Sequence, residues 1–298
     1  MKLSLSNKHA GMLLGFIGVV IFGATLPVTK IAVTLFDPWF VTFGRALMGG
    51  IIALVILISL RKAIPYTHMW QILLAASLVI VGFPGFMGVA MLTVPAVHGG
   101  LVLGILPLAT AFFAALIGNE RPSFMFWVWG VLGALLVTIF ALYDNGTSLG
   151  NFGFVLGDFW LLLAALCAAL GYVVLARISR FMAGWEAISW TIIVALPLSL
   201  VGSIVFWDAK YINASTEQFL AFSYLGIFSA YLGFFAWNSG LKLGGMARVG
   251  QVQLLQTFIT FGFAALLLGE NVPLGALGFA LAVLVVIVLG QRSRIENV

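Results

Sequence analysis

The chain has 298 residues, of which 63% are hydrophobic and 8% charged, with a mean hydropathy of +1.18. A water-soluble domain carries about 25% charged residues, so a globule wetted over its whole surface is excluded and lipid is the solvent for most of the chain. The net charge of +5 comes from Lys and Arg standing singly or in pairs between apolar stretches; that pattern belongs to membrane topology and not to a nucleic-acid partner.

A membrane helix needs about 20 mostly apolar residues, and ten segments qualify. The first spans 10–34, behind Lys2 and Lys8. It runs on past Pro27 to Leu35 without a small-residue cleavage site, so it reads as a helix and not as a signal peptide. Thr25 and Pro27 lie within it. The second, 38–59, opens on Asp37-Pro38 and carries Arg45 about two turns in. That arginine either pairs with a neighbouring carboxylate or carbonyl, or binds a substrate carboxylate. The third, 69–92, contains Gly82-Phe83-Pro84-Gly85-Phe86-Met87-Gly88. Pro84 removes an internal donor, so a break is expected that serves as ligand contact, hinge or close-packing point.

The fourth segment, 96–117, starts beside His98, expected as a solvated interfacial histidine or a site residue, and holds Pro107. The fifth and sixth are 122–142 and 154–176; the sixth contains Cys167, the single cysteine, which cannot form an internal disulfide. The seventh is 184–206. The eighth, 217–240, offers Tyr231, Phe234, Phe235 and Asn238 on one helical face, with Trp237 at its edge. These could contact an amphipathic ligand or simply pack. The ninth, 246–268, carries Gln253, Gln256, Thr257 and Thr260 at spacings of 3, 4 and 7, hence on one face. Buried amides need partners, so this face lines a wet cavity or bonds a neighbouring helix. The tenth is 272–291. Lipid supplies no hydrogen bonds to the backbone, so these spans are helices.

Placing both tails and the even-numbered loops on one side collects 11 of the 14 Lys and Arg there, against Lys30, Arg45 and Lys210 on the other. Both termini are therefore expected in the cytoplasm. A shift of 150 residues then aligns 100–120 with 250–270. Gly100, Val102, Thr110, Phe113, Ala114, Ala115, Leu116 and Glu120 meet Gly250, Val252, Thr260, Phe263, Ala264, Ala265, Leu266 and Glu270, 8 identities in 21 positions. Lys30 and Arg180 are also 150 apart. The chain thus divides into halves 1–148 and 149–298 of five helices each. An odd number inverts the second half in the membrane, an arrangement of many secondary transporters. The fold expected is an all-α membrane protein of ten helices in two inverted five-helix repeats.

Further residues carry a family resemblance: Gly23-Ala24-Thr25-Leu26-Pro27-Val28-Thr29-Lys30 in the first helix, then Asp37-Pro38 and Arg45. Pro107 and Gly118-Asn119-Glu120 follow in the fourth, Gly157-Asp158 opens the sixth, and Leu268-Gly269-Glu270 closes the ninth. In these the whole chain resembles the drug/metabolite transporter superfamily, in its ten-helix EamA-type branch. It departs from that pattern at Gln256-Thr257, where a proline is common. Within the family it looks most like the amino-acid exporters, and the resemblance implies outward movement of aromatic and other neutral amino acids.

Catalytic signatures are missing: the sequence has no His-Glu-x-x-His, Walker A, Gly-x-Ser-x-Gly or Asp-rich metal motif. His9, His68 and His98 are far apart, so no metal or other cofactor is expected. Asp37, Glu120, Asp158, Glu186 and Glu270 all fall at or near helix ends, leaving no carboxylate at mid-depth for proton coupling. Uniport or exchange is expected. The reading is a secondary transporter of the bacterial-type inner membrane, complete as a monomer, with a small-molecule solute and the bilayer as partners. Its expected site joins Gln253, Gln256, Thr257, Thr260 and Asn238 for the polar head to Phe86, Tyr231 and Trp237 for the side chain, with Thr25, Pro84 and His98 alongside. The alternatives are a drug, sugar-conjugate or nucleotide-conjugate carrier of the same fold, a receptor or assembly subunit, and a lipid-modifying membrane enzyme.

Overall fold

The structure, a computed structural model, describes residues 5–117, 120–122, 124–144, 155–244, 252, 255–292 and 295–297. Helix occupies most of the described part of every expected segment. Five helices among the described residues are long and apolar enough to cross a membrane, and six if a bent pair is one span. We label the helices by segment: α1 (Leu5–Ala32), α2 (Pro38–Ser59), α3 (Met69–Ala75, Ala76–Gly82 and Phe83–Ala90) and α4 (Ala96–Val102, Leu103–Ile105 and Leu106–Ile117). There follow α5 (Phe124–Asp144), α6 (Leu156–Ile178), α7 (Gly184–Val194 and Leu196–Val205), α8 (Thr216–Tyr224, Leu225–Leu232 and Gly233–Gly244), α9 (Gln256–Leu268) and α10 (Leu274–Arg292).

Local chemistry sets the ends. Asp37 caps α2 by accepting the Trp39 and Phe40 N–H groups, and Pro38 fills the first turn, where no donor is needed. Ser215 and Gln218 form a reciprocal box at the start of α8. Gly269 stops α9 at φ +65°, a left-handed conformation that a side chain would strain.

Proline explains most of the interior breaks. Pro197 withholds its N–H and crowds the preceding turn, and α7 bends by 46° there. Pro107 follows a tight 3₁₀ turn at Leu103–Ile105. Before Pro84, residues Ala76–Gly82 form a wide π turn, in which Phe83 N–H reaches back five residues to the Leu78 carbonyl. The same turn recurs in α8 at Leu225–Leu232, closed by Gly233 N–H on the Phe228 carbonyl, with no proline nearby. Shifting 76–82 by 150 gives 226–232, so the internal repeat is written in the backbone as well as in the side chains. Pro27, by contrast, sits inside α1 without interrupting it.

The helices pack closely. A Cβ on Gly240 of α8 would stand 2.6 Å from the Gly15 nitrogen of α1, so the two backbones touch and only glycine fits. α6 lies against α3 and α4, α2 against α7, and α5 against α10. Leu26, Met87, Leu101, Leu161 and Phe261 share the largest buried cluster. Leu13, Val55, Ile58, Leu266 and Leu274 point outward and are more than half exposed, as a lipid-facing surface requires.

Contacts between loops sort into two sets. Asp37 N–H meets the Tyr211 hydroxyl, Gln218 meets Thr34, Lys30 reaches the Met91 and Val94 carbonyls, and Glu270 meets Ala96 and Val97. All of these join odd-numbered connections. Lys62 pairs with Glu186 at 2.9 Å and His68 stacks on Phe181, joining even-numbered ones. A short antiparallel ladder, β1 (Glu120–Pro122) with β2 (Ile295–Asn297), ties the fourth connection to the C-terminal tail. No strand was expected from the sequence; this one is a three-residue pairing outside the apolar helices, where the backbone is free to seek a partner. The two sets form two opposite ends, in the grouping used for the charge count. Cysteines placed at Lys62 and at Asp208, in a Cys167→Ala background, will be labelled by a membrane-impermeant maleimide from opposite sides. Labelling of both from one side would break this topology.

Candidate functional site

A cavity enclosing about 1180 Å³ of space, counting the part open to the outside, lies among α1, α2, α3, α4, α6, α8, α9 and α10. The two wide turns border it: Val79 and Ile80 from α3, Ser229 and Ala230 from α8. π turns interrupt the regular ladder and are frequent at functional sites.

A polar chain runs along one wall. Arg45 Nη2 donates to Ser229 Oγ at 2.9 Å, and the Ser229 and Thr25 hydroxyls lie 2.8 Å apart. Thr25 donates onward to the Ile21 carbonyl at 3.3 Å, so Ser229 is the donor to Thr25. The Tyr224 hydroxyl donates to the same carbonyl at 2.9 Å. Arg45 is 6% exposed and sits about 10 Å into α2. A charge at the centre of a membrane helix costs about 2.5–3.5 kcal/mol, so its position against a cavity and not against lipid is energetically required. No carboxylate lies within ion-pair distance of it among the described residues.

From α9, Gln256, Thr257 and Thr260 line the cavity, and Thr260 also donates to the Gly23 carbonyl of α1 at 2.8 Å. The polar face expected from its spacing therefore serves both purposes, lining and helix contact. Phe22, Phe83, Phe234 and Met87 supply apolar wall. No Asp or Glu lines the cavity among the described residues.

Of the residues singled out in the sequence, the structure brings Thr25, Pro84, Gln256, Thr257 and Thr260 to this cavity. Gln253 lies outside the described residues. Tyr231 is fully buried and bonds Ser189 of α7 at 2.8 Å. Trp237 packs over Gly18, Asn238 over Gly184, and Phe86 stacks on Trp160 with ring centroids 5.6 Å apart. None of these four lines the cavity. His98 is not a solvated interfacial residue: it is 0% exposed, and its Nε2 lies 2.6 Å from Oδ1 of Asp158, itself 1% exposed. The partner is 60 residues away, on the first turn of α6, which no local pattern reveals. Sequence reasoning also missed Ser229 and Tyr172, which line the cavity beside Arg45. Their only sequence signal was a polar group within an apolar run.

The family model for EamA-like transporters matches this chain twice, over residues 9–143 and 155–290. The chain belongs to the EamA-like transporter family. It is accordingly an integral, multi-pass membrane transporter. It is 37% identical to YdeK of Bacillus subtilis, named an uncharacterized transporter, over 95% of this chain and 97% of that one. It is 26% identical to YddG of Ancylobacter novellus, named an aromatic amino acid exporter, over 94% of this chain and 96% of that one. A solved crystal structure with 22% identity superposes at a TM-score of 0.62, covering 96% of this chain and 97% of the other, which establishes likeness of fold.

Two outcomes are expected of this EamA-like transporter. A Cβ on Gly104 would meet only Thr257 Oγ1, at 3.1 Å, and otherwise open space. Gly104→Leu will therefore fill the cavity, abolishing transport while the thermal unfolding temperature stays near that of the parent. Asp158→Ala leaves His98 buried without this acceptor, a loss of about 1–3 kcal/mol, and will lower the unfolding temperature in detergent.

Proposed function

We propose that this transporter exports small neutral metabolites, foremost amino acids with aromatic or other apolar side chains, by alternating access. The observation that carries the proposal is the cavity itself. It combines a polar strip, Thr25, Ser229, Gln256, Thr257 and Thr260, with an aromatic and aliphatic wall. Such a lining suits a solute with one polar head and one apolar tail. The likeness to a protein named as an aromatic amino acid exporter supports the same substrate class. Two five-helix halves, 1–148 and 149–298, would rock about the cavity. One chain supplies both, so we take the monomer as the working unit, in a bacterial-type inner membrane with both termini cytoplasmic.

Carboxylates are absent from the cavity lining among the described residues, which supports uniport or exchange without tight proton coupling. The His98–Asp158 pair belongs to the first turns of α4 and α6, and neither residue lines the cavity.

The test is competition uptake in proteoliposomes with a panel of amino acids. Aromatic and branched members will compete, and uptake will persist after the pH gradient is collapsed. Gln256→Ala and Thr257→Ala will each slow uptake roughly 2- to 10-fold, the span of one lost hydrogen bond. No saturable uptake of any amino acid would refute the proposed substrate class.

A further inference from the structure

The guanidinium of Arg45 carries five N–H donors in a planar fork. In this structure Ser229 takes one of them, and among the described residues no other side chain or carbonyl takes any of the rest. The residue is nonetheless 94% buried in the cavity wall, about a third of the way into the apolar layer. A buried cation with unused donors is costly unless something anionic completes it. Ser229 and Thr25 are already committed to each other and to the Ile21 carbonyl, so their role is to hold the fork in place. Arg45 itself lines the cavity.

The opposite sign is missing. No Asp or Glu lines the cavity among the described residues, so an ammonium group entering it would meet hydroxyls, the Gln256 amide and aromatic rings but no described carboxylate. The lining elsewhere includes the aromatic side chains of Phe22, Phe83 and Phe234.

We propose that Arg45 binds the substrate's carboxylate bidentately, and that the transporter selects apolar monocarboxylic acids by that group alone, whether or not an amino group is present. This rests on the proposed transport function and widens its substrate class beyond neutral solutes: amino acids enter as one subset, and their deaminated, anionic counterparts bind at least as tightly. A bidentate guanidinium–carboxylate pair fits the fork geometry, and a single monocarboxylate would neutralise the cavity.

The experiment measures binding to the purified full chain in detergent, by calorimetry, and uptake in proteoliposomes in parallel. Four probes share one ring and tail: 3-phenylpropionate, phenylalanine, 2-phenylethylamine and 3-phenylpropanol. We expect 3-phenylpropionate to bind at least as tightly as phenylalanine, and the amine and the alcohol to bind at least 10-fold more weakly than the acid. Arg45→Gln will weaken the acid about 10- to 100-fold and leave the alcohol unchanged. Arg45→Lys keeps the charge without the fork, and serves if the glutamine variant does not fold; it will weaken the acid about 10-fold. Phenylalanine binding with no competition from 3-phenylpropionate would overturn this inference and leave the amino-acid reading standing. Tight 3-phenylpropionate binding without uptake of any probe would uphold the carboxylate site and sink the transport reading. Acid affinity unchanged in either Arg45 variant, or displacement of the acid by millimolar chloride, would overturn the carboxylate assignment.

Discussion

Lipid offers a backbone no hydrogen bonds, and this structure is shaped by that constraint. Each apolar stretch must satisfy its own N–H and C=O groups, which leaves the helix as the element for crossing. The constraint is eased where protein surrounds the backbone or lines a cavity. The wide turns at 76–82 and 225–232 are such places. Both border the cavity, and both stand at one position of the repeat. Irregular backbone beside the space where a solute can lie is a coherent arrangement for a protein that must hold and release that solute.

The same shortage of solvent governs the charges. Lys30 and Glu270 sit at one end, where each satisfies backbone groups of the α3–α4 region: two carbonyls for the ammonium, two N–H groups for the carboxylate. A carboxylate at the start of a helix is favourable in its own right. His98 and Asp158 answer each other in full burial. Arg45 differs from all of these. It is deep, and its single described hydrogen bond is to a neutral hydroxyl. A deep ionisable group in a membrane helix points to a functional site, and Arg45 lies in the wall of the cavity.

Family membership and cavity chemistry carry different parts of the functional account. Membership establishes a membrane transporter. Which solute moves is a matter of the lining: hydroxyls, the Gln256 amide, aromatic rings, and among the described residues one cation and no anion.

Much of this was legible in the chain. Apolar length and punctuation located the helices, because lipid thickness fixes how long they must be. The repeat at 150 residues was visible in side chains and reappears in the wide turns. The spacing of Gln256, Thr257 and Thr260 identified a polar face, because helix period alone decides which residues share one. The face expected on α8 did not hold in the same way. Its wide turn adds a residue, which rotates the remainder of the helix by about 100°. Ser229, Ala230 and Phe234 reach the cavity, while Tyr231 turns to Ser189. Pro84 advertised the turn in α3, but α8 has no such mark. The burial of His98 was likewise hidden, since its partner stands 60 residues away. Arg45 was conspicuous from the start as a charge in an apolar run. Whether it was paired or free depended on what the other helices set opposite it, and only their packing could decide that.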